Sequence, residues 1–150
     1  MTFEEEVQAR KIAKMIEAEI PENFRPDWAS VSAWLWLSDT DKGCGGGAYV
    51  FDRLGYATGF SFPLQAVLTP LSTLRLMHPE QETHPWKTVL LQFGRAEPDL
   101  RLFYEYNDPY RWMVTEENYK TKIRELKPDF SDMRRLHKRG SRAVWSRNGS

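Results

Sequence analysis

The side chains able to do chemistry are few and scattered. Cys44 is the only cysteine, and His78, His84 and His137 are the only histidines. A thiol acts as a nucleophile when a base or a positive environment lowers its pKa. Cys44 instead lies in Gly43-Cys44-Gly45-Gly46-Gly47, and none of the three histidines has a suggestive context. It reads as inert or merely exposed. His78 and His84 share a loop framed by Pro79 and Pro85, but one cysteine and scattered carboxylates do not complete a zinc set. Asp39-Thr40-Asp41-Lys42-Gly43 begins like a calcium loop. It lacks the third acid and has Val50 where a bidentate glutamate belongs. The glycine run has neither the GK[ST] ending nor the following helix of a phosphate loop, so a close backbone approach or flexibility explains it better. Paired carboxylates such as Glu105 and Asp108 have no spacing that specifies acid–base work. The sequence therefore leads us to expect no catalytic residue, no metal and no cofactor.

Aromatic and basic residues interleave between Arg101 and Trp112: Tyr104, Tyr106, Tyr110 and Trp112 with Arg101 and Arg111. Such a face can stack nucleic-acid bases. Period-2 alternation, however, assigns Leu100, Leu102, Tyr104 and Tyr106 to one strand face, which reads as core. What remains as rim is Glu105, Asp108, Tyr110 and Arg111. With Asp39 and Asp41 these are the candidate contacts for a protein partner.

The elements that must position them follow from pattern. Thr2 and Glu5 form a capping box before a helix whose apolar stripe is Ala9, Ile12, Ala13, Ile16 and Ile20, stopped by Pro21. Ala29–Leu37 reads as a strand with Val31, Ala33, Leu35 and Leu37 on one face and Ser32, Trp34 and Trp36 on the other. Two tryptophans on the second face require that it too be covered. A glycine-rich turn, short strands over Ala48–Asp52 and Tyr56–Phe62, and a short helix opened by Thr69-Pro70 follow. Two strands, Thr88–Phe93 and Leu100–Tyr106, flank the turn GRAEPD. Thr115 caps a further helix with Tyr119, Ile123 and Leu126 on its buried stripe. Ser131 or Asp132 begins one more short helix, through Lys138. The expected fold is α+β: an N-terminal helix packed on an antiparallel meander sheet of about five strands, with one or two C-terminal helices.

Charge divides the chain. Residues 1–133 hold 15 bases and 21 acids, a net charge of −6, while residues 134–150 hold six bases and no acid. We read 1–133 as a single domain and 134–150 as a basic tail. No apolar run approaches the ~20 residues needed to span a bilayer. The acidic, helical N-terminus lacks a signal-peptide pattern, and a lone cysteine suits a reducing compartment. A cytoplasmic protein without a membrane association is expected. An acidic body is not expected to bind nucleic acid through its aromatic face.

The order of elements also carries a resemblance. Ile20-Pro21 follows helix one, Pro85-Trp86 opens the fourth strand, and Tyr104-Glu105-Tyr106 with Asp108 closes the fifth. Over residues 3–112 the chain resembles the YezG-like immunity proteins, small bacterial antitoxins of polymorphic toxin and contact-dependent inhibition systems. The resemblance implies a cytoplasmic protein that binds a cognate toxin domain and occludes its active site or a required surface, without chemistry of its own. An acidic surface would suit a basic partner such as a nuclease toxin. Two other readings stay open: a small binding or regulatory module contacting nucleic acid through the basic tail, and a hydrolase using Cys44.

Overall fold

The structure, a computed structural model, describes residues 1–96 and 99–131. The final short helix and the basic tail expected from the sequence lie outside the described residues. The elements run α1 (Phe3–Glu17), β1 (Trp28–Leu37), β2 (Cys44–Asp52), β3 (Ala57–Phe60), α2 (Leu64–Met77), β4 (Thr88–Gly94), β5 (Leu100–Glu105) and α3 (Tyr119–Leu126). The five strands form one antiparallel sheet in the order β3-β2-β1-β4-β5. This is the α+β architecture expected. β1, β2 and β3 are a meander, and the β4–β5 hairpin then joins the other side of β1. That return makes the ten-residue β1 the centre of the sheet.

Both faces of the sheet are covered. On the first, α1 and α2 pack over Val31, Ala33, Leu35 and Leu37 of β1 and Val89, Leu91 and Phe93 of β4. The capping box of α1 is present: Glu5 N–H donates to Thr2 Oγ1 at 3.1 Å and Thr2 N–H to Glu5 Oε1 at 2.8 Å. The Ile12–Ile16 stripe is fully buried, as its spacing requires. On the second face Trp34, Phe51 and Leu90 meet Trp112 and Leu126, so α3 and the segment before it supply the cover that the tryptophans of β1 demand. A buried polar latch holds this layer. The Leu126 carbonyl accepts from Ser32 Oγ of β1 and, at 3.0 Å, from Gln92 Nε2 of β4. One of the carbonyls that a helix C-terminus leaves unpaired is thereby satisfied inside the protein.

Three local expectations are corrected. The glycine run is strand rather than turn, because β2 begins at Cys44. A Cβ on Gly45 would lie 2.4 Å from the Trp36 indole and one on Gly47 2.6 Å from the Trp34 indole. The glycines are there so that two tryptophans of β1 can lie across their neighbour strand. Second, α2 starts at Leu64 and carries Pro70 in its interior. Burial of Val67 together with Leu71 and Leu74 outweighs the lost hydrogen bond and the proline clash. Third, α3 begins at Tyr119, after a turn closed by Thr115 N–H to Asn118 Oδ1 at 2.7 Å and Asn118 N–H to Thr115 Oγ1 at 3.2 Å. Thr115 thus makes its bond to Asn118 one turn ahead of the helix.

Candidate functional site

Strand register brings the expected contact residues to one end of the sheet. Trp36 pairs with Thr88, and Thr88 with Glu105. The turn after β1, the start of β4 and the loop after β5 therefore adjoin. Asp39 Oδ1 accepts from Lys87 Nζ at 3.2 Å. Glu105 organises the loop that follows it. Its Oε2 accepts from the N–H groups of Asn107 (2.8 Å) and Asp108 (3.1 Å), and its Oε1 from Arg111 at 3.0 Å. The Asn107 and Asp108 N–H groups, with help from Arg111, hold the Glu105 carboxyl below the usual glutamate range. Asp108 Oδ1 in turn accepts from Tyr110 N–H at 2.9 Å. The Tyr110 ring, 56% exposed, meets Trp36 edge-on with centroids 6.4 Å apart. The Arg111 guanidinium sits 5.1 Å above the centroid of Trp112.

Asp41 is the exception. Its carboxylate turns inward to an ion pair with Arg75 and accepts from Ser72 Oγ at 3.1 Å. Arg75 is 6% exposed and also donates to the carbonyls of Leu37 (3.2 Å), Trp86 (3.2 Å) and Ser38. Asp41 and Arg75 thus fasten α2 to the β1–β2 turn. The end of the sheet is also not the bare acidic edge its composition suggests. Asp39, Asp41 and Glu105 each face a cation of the same chain. What it offers a partner is Tyr110 and Arg111 on a loop held in place by Glu105 and Asp108, beside Trp36.

A second polar cluster lies on the first face. Glu5, 2% exposed, accepts from Tyr104 Oη at 2.6 Å, and its Oε2 lies 3.2 Å from His78 Nδ1. His78 Nε2 is 2.9 Å from Tyr106 Oη. His84 stacks on Tyr106, and Tyr104 on Trp86. Burial alone would raise the Glu5 carboxyl. Thr2 N–H, Tyr104 and His78 outweigh that and hold it below the usual range. Burial and then the Glu5 hydrogen bond push the Tyr104 hydroxyl up. With Tyr104 the donor to an ionised Glu5, the network joins α1, the end of α2 and β5 through satisfied groups.

The parts of this cluster are legible in the sequence, and their assembly is not. Glu5 was legible only as a cap residue, and His78 and His84 only as candidate ligands or bases. No local signal places Glu5 against His78 across 73 residues. Trp36 was legible as a second-face residue, but its contact with Tyr110 depends on the loop after β5. Cys44 donates to the Leu64 carbonyl at 3.4 Å, and burial pushes its thiol up, away from the thiolate a nucleophile needs. Among the described residues no three histidine, cysteine, aspartate or glutamate side chains converge as metal ligands would. No helix among them is long and apolar enough to cross a membrane. No protein-family model matches the chain, and no curated protein matches it significantly.

Proposed function

We propose that this is an immunity protein that neutralises a cognate bacterial toxin domain by covering its active site or a surface it requires. The observation that carries the reading is the rim at the end of the sheet. Tyr110 and Arg111 stand exposed on a loop whose backbone is held by Glu105 and Asp108. Tyrosine and arginine are the residue types that dominate binding energy in protein interfaces, and a loop ordered before contact loses less entropy on binding. The YezG-like order of motifs supports the same reading. The net charge of −6 over residues 1–133 suits a basic partner, because complementary fields speed encounter. A nuclease toxin is such a partner, and the toxin-binding work needs no catalytic group from this chain.

The test is co-expression with the toxin domain encoded next to this gene, followed by co-purification and a growth-protection assay. Tyr110→Ala and Arg111→Ala should each weaken the complex by about 2 kcal/mol or more, as interface anchors do. Their melting temperatures should stay close to wild type. No association and no protection with the wild-type chain would sink the reading. The basic segment 134–150 favours a second reading, in which the tail contacts nucleic acid. That reading requires a salt-dependent shift with RNA or DNA that is lost when 134–150 is removed.

A further inference from the structure

We infer that Lys122 of α3 is a positioning residue for the partner-binding rim: its ammonium fixes the backbone of the loop 107–113 from behind, so that Tyr110 and Arg111 meet a partner already in place. The inference rests on the toxin-binding reading for what the rim contacts, and not for the fixing itself.

The loop leaves β5 and returns onto the second face of the sheet. Its start is held by Glu105 through the N–H groups of Asn107 and Asp108. Its turn then closes on itself. Tyr110 N–H donates to Asp108 Oδ1 at 2.9 Å, Arg111 N–H to the Asp108 carbonyl at 3.3 Å and Met113 N–H to the Tyr110 carbonyl at 3.0 Å. Trp112 is buried in the cluster of Trp34, Phe51, Leu90 and Leu126. Two carbonyls of the loop find their donors on α3 and the turn that opens it. Lys122 Nζ donates to the Arg111 carbonyl at 2.9 Å, and Asn118 Nδ2 to the Met113 carbonyl at 3.1 Å. Lys122 N–H also bonds the Asn118 carbonyl at 2.8 Å, so the two donors stand one helical turn apart on the same face. The far end of α3 is fastened to β1 and β4 by the Leu126 carbonyl. A continuous tie therefore runs from the sheet through α3 to the rim.

The Lys122 side chain is 18% exposed, so its ammonium is directed into the chain and away from any partner. It reaches the main chain of Arg111, while the guanidinium of Arg111 is held on the outside by Glu105 and Trp112. Arg111 is thus fixed at its carbonyl and at its side-chain tip by different elements. Lys122 also pairs with Glu125 at 3.1 Å. Glu125 is 48% exposed, and a helix pair so open to water contributes little. The Arg111 carbonyl is the contact that matters. A loop fixed before encounter loses less conformational entropy on binding.

Lys122→Met keeps the apolar stem and removes the donor. In the isolated chain, hydrogen exchange of the Tyr110 and Met113 amides should quicken about tenfold or more, with β1 amides unchanged. Lys122→Arg, which retains donors, should restore part of the protection, and Glu125→Gln should leave it at the wild-type level. With the toxin domain, Lys122→Met should weaken binding about tenfold. Tyr110→Ala should then cost less affinity in Lys122→Met than in wild type, because the two act through one loop. Unchanged exchange in Lys122→Met overturns the inference, whether or not a toxin binds. So do additive losses of affinity, or a Glu125→Gln protein that exchanges as fast as Lys122→Met. Should the wild-type chain bind no toxin, the toxin reading falls by itself, and faster exchange in Lys122→Met still supports the fixing of the loop.

Discussion

Tyr104 Oη donates to Glu5 Oε2 at 2.6 Å across 99 residues of sequence. One bond thereby joins the first turn of α1 to the edge strand β5. Glu5 already closes the capping box, and His78 reaches the same carboxylate oxygen from the end of α2. A buried charge with three hydrogen-bonding partners from three parts of the chain specifies how those parts meet.

Removing one of these donors leaves the carboxylate buried and less satisfied. Tyr104→Phe should therefore cost about 1–3 kcal/mol of folding stability. Glu5→Gln should cost a similar amount, and the double variant less than the two singles added, with a coupling of about 0.5–3 kcal/mol. Urea denaturation of the four proteins measures this directly.

The same carboxylate sets an acid limb. Glu5 has a folded pKa below its ordinary value of 4.5, so the unfolded chain takes up its proton first as pH falls. The stabilisation is fully present above that ordinary value. It declines as pH drops below 4.5 and is gone once pH passes beneath the folded pKa. Wild-type stability should fall across this range more steeply than that of Glu5→Gln, when melting is followed from pH 6 downward.

The glycine run makes a separate, steric prediction. Gly45→Ala would drive a methyl group into the Trp36 indole. It should cost about 1–3 kcal/mol, the usual penalty for overpacking. Trp36→Leu in the same chain should recover part of that loss, because the smaller side chain vacates the space. A Gly45→Ala protein as stable as wild type would show that the tryptophan can move aside.

Arg75 should be the most sensitive polar position in α2. Arg75→Met leaves the Leu37, Ser38 and Trp86 carbonyls without this donor and takes the cation from Asp41, which keeps its bond from Ser72 Oγ. Leaving those buried carbonyls without a donor costs about 1–3 kcal/mol, and the Asp41 carboxylate, 37% exposed, adds little because water can solvate it. Arg75→Lys should recover only part, since an ammonium cannot fork to four acceptors on different segments. Chemical denaturation of the two variants distinguishes these outcomes.

Local rules carried the elements themselves. The Thr2–Glu5 box and the Ala9–Ile16 stripe specify α1, and alternation in β1 sorts Val31 and Leu35 from Trp34 correctly. Alternation likewise placed Tyr104 and Tyr106 against the first-face core. Local rules failed where packing outweighed propensity. Pro70 reads as a helix start and lies inside α2, and Cys44–Gly47 reads as a turn and is strand. In both places the deciding contact comes from a distant segment.

Among the candidate contact residues, strand alternation and turn residues place Asp39, Glu105, Asp108, Tyr110 and Arg111 at or beyond strand ends and go no further. That those ends coincide, that Asp41 pairs with Arg75, and that Glu5, His78, Tyr104 and Tyr106 form one network follow from long-range packing. The reason is physical. Periodicity and caps are short-range and act within a few residues. Which strand lies beside β1, and in what register, depends on how two covered faces bury their side chains together.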